Sequence, residues 1–388
     1  MIAVSMSHGL RNQLIRLASA RKFRPAEDIE KHIVLVRPDH FGDLLMLSPA
    51  IDHLQTIAPD HRISLMIGPW NREVAQHLAP GVDLIVYDFP GFNREETSSG
   101  KLDPYRKIAD AAEILRTIAP QAVVLMRDDH WWGAIMAREA GVPIRVGYDD
   151  QRHNSMLTHP LSIKPKHYVE QNLAAVRSTA AILGYDVGVE PSLAEIGPLG
   201  WPEHTGGAAL AQQLLDSHAI SKDFIVIHPG TGADVKRWPE SRWVSLINDL
   251  PIPADTGIVL TGSAGEAGLC DTIARQAQSD VVDLAGTTSL YSLGEIFRQA
   301  QLVVGVDSGP LHLATAVGTP TIHLYGPSDM VRYGPWGDSD RHRTLSAGMS
   351  CPDCGNLSPD RAESCGCMTA ISVDVVREQI QEMVSAHA

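Results

Sequence analysis

Four short runs in this chain place charged or hydroxyl side chains next to glycines, directly after apolar stretches. The first is Arg37-Pro38-Asp39-His40-Phe41-Gly42-Asp43. Gly42 permits a tight turn with close backbone approach. Asp43 then falls near a helix N-terminus, where a carboxylate is stabilised as an anion. It can serve as general base for a hydroxyl, or simply cap the helix. The second run is His228-Pro229-Gly230-Thr231-Gly232-Ala233-Asp234-Val235-Lys236. Gly230, Thr231 and Gly232 free backbone amides to face an anion, and Lys236 supplies a charge, a set that suits a diphosphate. The plainer reading is a tight turn with a surface lysine. Val235 fills the third glycine position, so this is not the dinucleotide fingerprint, and it is not a P-loop.

The third run, Thr261-Gly262-Ser263-Ala264-Gly265-Glu266, again follows an apolar strand. Its carboxylate suits ribose hydroxyls or a base, and equally an early-helix charge. The fourth is Asp307-Ser308-Gly309-Pro310-Leu311-His312. Pro310 near a first helical turn leaves free amides for an anion, with Asp307 as a ligand contact or a cap. Asp128-Asp129-His130-Trp131-Trp132 sets polar groups beside two indoles. That suits a sugar acceptor at Asp128, His130 and Trp131, with His40 nearby, although the tryptophans are equally good core anchors. Cys351, Cys354, Cys365 and Cys367 form a CxxC and a CxC pair in an irregular stretch. Four thiolates suit a structural zinc or iron and leave no open position for catalysis; local disulfides and free thiols are the alternatives.

The elements that must position these runs alternate strand and helix. Strands are expected at 32–36, 63–67, 84–87 and 122–126, with helices at 44–57, from about 71, at 108–118 and at 132–140. A polar Gly/Pro-rich linker covers 186–207, and the alternation restarts with strands at 224–228, 257–261, 281–284, 302–306 and 321–325. This predicts an α/β protein of two Rossmann-like domains facing across a cleft, with ligands at the carboxyl ends of parallel strands. The expected divisions are a basic helical appendage at 1–30, domains at 31–190 and 191–370, and a C-terminal helix at 371–388 packing back on the first domain. The appendage suits either an anionic membrane surface or a helix on its own domain. The net charge of -14 argues against nucleic acid as a partner. No signal peptide or 20-residue apolar span is visible, which predicts a cytoplasmic chain.

Taken together, Phe41-Gly42-Asp43, His228-Pro229-Gly230, Lys236-x-Trp238-Pro239, Asp307 to His312 and Tyr325-Gly326-Pro327 resemble the heptosyltransferases, glycosyltransferase family 9. Pro143 to Tyr148 and Ala181 to Gly184 also resemble that family, and the similarity runs from about residue 32 to 376. The resemblance implies a GT-B fold, an ADP-heptose-type donor, and inversion at the anomeric carbon without a catalytic metal. It implies Asp43 as base, Lys236 against the donor phosphates or sugar, and Asp307 with its following amides at the donor. The usual acceptor is inner-core lipopolysaccharide at the inner membrane. The cysteine cluster is similar to the iron-binding one of autotransporter heptosyltransferases, which keeps a protein acceptor open. A silent glycan-binding scaffold and a sugar-nucleotide epimerase of the same fold are the other readings; the missing glycine fingerprint argues against a dehydrogenase.

Overall fold

The computed structural model describes residues 23–26, 28–92, 103–150, 153–162, 166–220, 223–253, 255–349 and 365–386. Residues 1–22, where a basic helix is expected, and Cys351 and Cys354 lie outside these. Internal contacts divide the chain after Ile196 into two units.

The first unit holds β1 (Glu30–Arg37), β2 (Arg62–Ile67), β3 (Asp83–Val86), β4 (Pro120–Leu125), β5 (Ile144–Tyr148) and β6 (His159–Leu161). They form one sheet in the order β3-β2-β1-β4-β5-β6, and every pairing is parallel. Parallel neighbours need crossovers, which the intervening helices supply. His32 to Arg37 are buried without alternation, the mark of a strand covered on both faces. Val34 and Val36 share a core with Val123, Leu125, Leu115, Trp132 and Ile135. Full burial of each such apolar side chain contributes about 1.5–3 kcal/mol.

The second unit repeats this plan with β7 (Phe224–His228), β8 (Gly257–Leu260), β9 (Val282–Asp283), β10 (Leu302–Val306), β11 (Thr321–Tyr325) and β12 (His342–Ser346). Its sheet order is β12-β11-β10-β7-β8-β9. Counted within each unit, both sheets therefore run 3-2-1-4-5-6, the doubly wound order. The strand order reverses between β1 and β4 in one unit and between β7 and β10 in the other.

Three expectations change. The helix foreseen over 44–57 is two, Phe41–Leu45 and Ser48–Ile57. Pro49, at the start of the second, lacks an N–H and cannot continue a preceding turn. The linker region contains the short helix Leu193–Ile196 and the first turn of Thr205–Ser217. The C-terminal helix Val373–Ala386, expected on the first domain, instead places Val376, Ile380 and Met383 in the second unit's core beside Trp238 and Trp243. Its apolar stripe faces the helix Glu240–Asn248.

Residues 23–26 lie along the first unit. The Phe23 ring sits 4.7 Å from the Arg145 guanidinium and 5.8 Å from that of Arg138, and the Ala26 amide donates to the Gly141 carbonyl at 3.0 Å. No described helix is long and apolar enough to cross a membrane.

Ile380 is 0% exposed within this core. Ile380→Ala is predicted to cost about 2–5 kcal/mol of stability, read from urea denaturation. A loss of only a few tenths would mean that the C-terminal helix does not complete the second core.

Candidate active site

In the first unit the site is built where β1 ends. Arg37, its last residue, is 1% exposed. The guanidinium Nη2 donates to Asp43 Oδ1 at 2.8 Å, Nε lies 2.9 Å from Asp39 Oδ2, and Nη1 donates to the Met126 carbonyl. The cation also lies 5.2 Å from the centre of the Tyr168 ring. Arg127, just past β4, pairs with Asp39 and Asp129. The turn is fixed from outside as well: Trp70 Nε1 and Asn71 Nδ2 both donate to the Asp39 carbonyl at 2.8 Å.

Asp43 does not cap its helix. His40 occupies the N-cap of Phe41–Leu45, without a side-chain capping bond. The Asp43 side chain, 26% exposed, gives one oxygen to Arg37, and its second oxygen accepts no hydrogen bond among the described residues. Burial, and then the neighbouring Asp39 carboxylate, push the Asp43 carboxyl above its ordinary range, against Arg37 and Arg127. Asp39 moves the other way. Burial works to raise it, and Arg127 and Arg37 outweigh that and hold it low.

The expected acceptor residues are distributed unevenly around this point. His40 stands with its ring 5.7 Å from that of Trp70. Asp128 Oδ1 accepts from the Tyr168 hydroxyl at 3.0 Å, and Trp131 is half-buried at the start of its helix. His130 is buried against Phe89 and stacked on Trp132, and burial pushes its ring down to about 3, so it is neutral. Trp132 is a core residue.

In the second unit the loops after β7 and β10 meet at the corresponding reversal. Lys236 Nζ lies 2.7 Å from Asp307 Oδ2, and the Thr231 hydroxyl donates to the Asp307 carbonyl at 3.4 Å. Asp307 does not cap either. Ser308 is the N-cap of Gly309–Ala316, with Pro310 in the first turn. Leu311 and His312 are buried, with His312 Nε2 3.8 Å from Asp307 Oδ1, so at Leu311 only the backbone is offered to a ligand.

The third run joins from β8. Thr261 is buried, its hydroxyl 3.0 Å from His228 Nδ1, and burial holds the His228 ring neutral by pushing it down to about 4. Ser263 donates to Glu266 through its amide at 2.8 Å and its hydroxyl at 2.7 Å. A Cβ on Gly230 would stand 2.3 Å from the Glu266 carboxyl, so that carboxylate hangs over the Gly230 turn. Glu266 thus closes its own turn and faces the anion loop together.

The cysteine segment abuts the same loops. The Cys365 amide donates to the Val235 carbonyl at 3.3 Å, and Cys365 and Cys367 are buried together. A Cβ on Gly326 would meet the Cys367 sulfur at 3.2 Å. Cys365 is disulfide-bonded. Among the described residues no three His, Cys, Asp or Glu side chains are grouped to hold a metal.

Arg37, Asp39 and Arg127 carry no role in the sequence motifs taken alone. The available signal was a guanidinium at or just after the end of each of two buried apolar strands, where a cation is kept only if paired.

Two doubly wound units, each with polar loops at its reversal point, make the two-domain α/β architecture of the GT-B fold. The family profile "Glycosyltransferase family 9 (heptosyltransferase)" matches residues 113–356, well over half of the chain, and the chain belongs to that family of glycosyltransferases. The match takes in Lys236 and Asp307, and Asp43 lies upstream of it. Lipopolysaccharide heptosyltransferase 3 of Escherichia coli is 25% identical over 308 residues, covering 77% of this chain and 84% of the relative. The solved E. coli ADP-heptose lps heptosyltransferase II has the same fold, with a TM-score of 0.66 at 20% identity over 92% of this chain and 100% of that one. The iron-containing dodecameric glycosyltransferase TibC from enterotoxigenic E. coli aligns with a TM-score of 0.51 at 14% identity, over 95% of this chain and 79% of that one.

The Lys236–Asp307 pair makes a prediction about pH. Burial works to raise the Asp307 carboxyl, and Lys236 and then His312 hold it below its ordinary 3.8. The pair therefore contributes stability that is complete above pH 3.8 and lost as pH falls through the lower folded value. Lys236→Met leaves burial to raise Asp307, so the variant's deficit should grow as pH rises from 4 to 7, to roughly 1–3 kcal/mol in urea titrations. An equal deficit at both pH values would show that Lys236 does not hold that charge.

Proposed function

We propose that this protein is an inverting heptosyltransferase that uses an ADP-heptose-type donor, a glycan acceptor of the lipopolysaccharide inner-core kind, and Asp43 as general base. The observation that carries the reading is the Asp43 carboxylate itself: one oxygen is fixed by Arg37, and the other has no hydrogen-bond partner among the described residues. A carboxyl raised above its ordinary range is also a stronger base than a free aspartate.

The reaction is a single in-line displacement. The acceptor oxygen bonds to the anomeric carbon as Asp43 takes its proton. The bond from that carbon to the diphosphate oxygen breaks, and the leaving ADP keeps the electron pair. Lys236, the amides around Gly230 to Ala233 and the start of Gly309–Ala316 meet the charge that develops on it. Thr261, Gly262, Ser263 and Glu266 suit the nucleoside end. His40, Asp128 and Trp131 suit the acceptor, with His130 setting the aromatic wall behind them. No step needs a catalytic metal.

With the disulfide at Cys365 reduced, the four cysteines would supply thiolates suited to a structural zinc or iron. Their thiolate chemistry is right for either, Cys365 and Cys367 are held together under cover, and the similar TibC contains iron. A metal there would brace the Val235 and Gly326 turns and do no chemistry. Disulfide and metal are alternative states of these sulfurs. Elemental analysis of reduced protein should find about one zinc or iron per chain; a metal-free protein with its thiols titratable would end this part of the reading. A cytoplasmic protein resting on the inner membrane through residues 1–30 completes the proposal.

Asp43→Asn should lower transfer by about 10²–10⁴-fold while calorimetric binding of ADP-heptose stays near wild type. Near-normal turnover in that variant would show that another group takes the proton. Titration with ADP-heptose, UDP-glucose and GDP-mannose tests the donor, and a preference for either of the latter two overturns the heptose assignment.

A further inference from the structure

Asp43 is held by a residue that is built into the sheet. Arg37 is the last residue of β1, in register with Ile67 of β2, so its backbone has no freedom to shift. Its side chain is 1% exposed and is engaged on every side: the Met126 carbonyl, Asp39, the Tyr168 ring and Asp43. A guanidinium held by four groups has one orientation left, and the planar fork transmits that orientation to whatever accepts from it. Asp43, by contrast, sits on a five-residue helix with 26% of its side chain exposed. Unassisted, such a carboxylate would rotate among several rotamers.

We propose that Arg37 is a positioning residue for the base: its guanidinium fixes Oδ1 of Asp43 and thereby aims Oδ2 at the acceptor hydroxyl. The proposal rests on the reading of Asp43 as base. It assigns Arg37 no contact with substrate. It also explains why a fully buried cation stands at the head of the sheet, where an apolar residue would cost nothing to desolvate. Burial alone would lower the affinity of Arg37 for its proton, and Asp39 and Asp43 more than reverse that, so the guanidinium stays ionised throughout the working pH range.

The charge around Asp43 is set by few groups. Arg37 and Asp39 come from the end of β1 and its turn, and Arg127 from the loop after β4. Asp129 acts on Arg127, His130 on Asp39, and Tyr168 on Arg37. Arg72 and Glu73, on the helix packed against that of Asp43, are exposed. Arg37 favours the ionised form of Asp43, so its removal must raise the pH at which the base loses its proton.

The test uses the full chain and three variants, Arg37→Lys, Arg37→Met and Asp43→Asn, with kcat, donor KM and the pH profile of kcat/KM as readouts. Arg37→Lys keeps the charge and loses the fork. It should lower kcat on the order of 10- to 100-fold, the scale of a misaimed reacting group, with donor KM and calorimetric ADP binding unchanged. Arg37→Met should lower kcat further and move the acid limb of the profile to higher pH. If Arg37→Met does not fold, Arg37→Lys carries the test alone, because it preserves the cation over Tyr168 and beside Asp39. Wild-type kcat in Arg37→Lys, with Asp43→Asn inactive, overturns the positioning role and leaves the base assignment standing. Near-normal activity in Asp43→Asn overturns the base assignment and this inference with it. A rise in donor KM with kcat unchanged overturns the inference too, since it would put Arg37 on the donor path.

Discussion

A parallel sheet buried on both faces admits no chemistry within its strands. Along β1 every side chain from Ile33 to Val36 is fully covered, and along β10 every residue from Leu302 to Val306 is buried. Polar groups open to a ligand can appear only where such strands stop. In a doubly wound sheet, neighbouring loops diverge only where the strand order reverses, and an opening forms there. The positions of Asp43, Arg127, Lys236 and Asp307 all follow from this constraint. Each lies just beyond a strand that borders the reversal, and none lies beyond an outer strand.

The same constraint decides which interactions are strong. Groups at a strand end sit half inside a low-dielectric core, so a lone charge is costly there and a paired one is tightly held. The first unit sets two guanidiniums, Arg37 and Arg127, against Asp39, Asp43 and Asp129. The second sets one ammonium against one carboxylate with a histidine behind it. Neither aspartate that the sequence offered as a helix cap is one: His40 and Ser308 hold the N-cap positions, and each aspartate gives an oxygen to a cation instead.

Much of the architecture was legible in the sequence. Runs such as His32 to Val36 and Leu302 to Val306 read directly as covered strands, and the restart near Phe224 revealed a second unit. The strands Ile144–Tyr148, His159–Leu161 and His342–Ser346 were not foreseen as strands: the last two are sheet edges, the first lies next to one, and all three mix polar with apolar residues. Pro49 was visible and its break was still missed, since the apolar period continues through it. At the site, residue type and spacing pointed to Lys236, Asp307 and Asp43. Sequence spacing could not reveal that Arg127, 88 residues from Asp39, reaches it, since only strand order makes β1 and β4 neighbours. The C-terminal helix was misplaced for a similar reason: an amphipathic stripe declares that it will pack and not on what.

The ion pairs of the two units are also inverted copies of each other. In the first, the cation is the inner member, Arg37 at 1% exposure, and the carboxylate of Asp43 is the outer one at 26%. In the second, the carboxylate is inner, Asp307 at 7%, and the ammonium of Lys236 is outer at 19%. One scaffold thus offers a negative tip in one half and a positive tip in the other, each charge pre-balanced from beneath. A negative tip favours a hydrogen-bond donor and a positive tip an anion, so the polarity of the pair sets which kind of ligand group each unit favours before any specific contact is made.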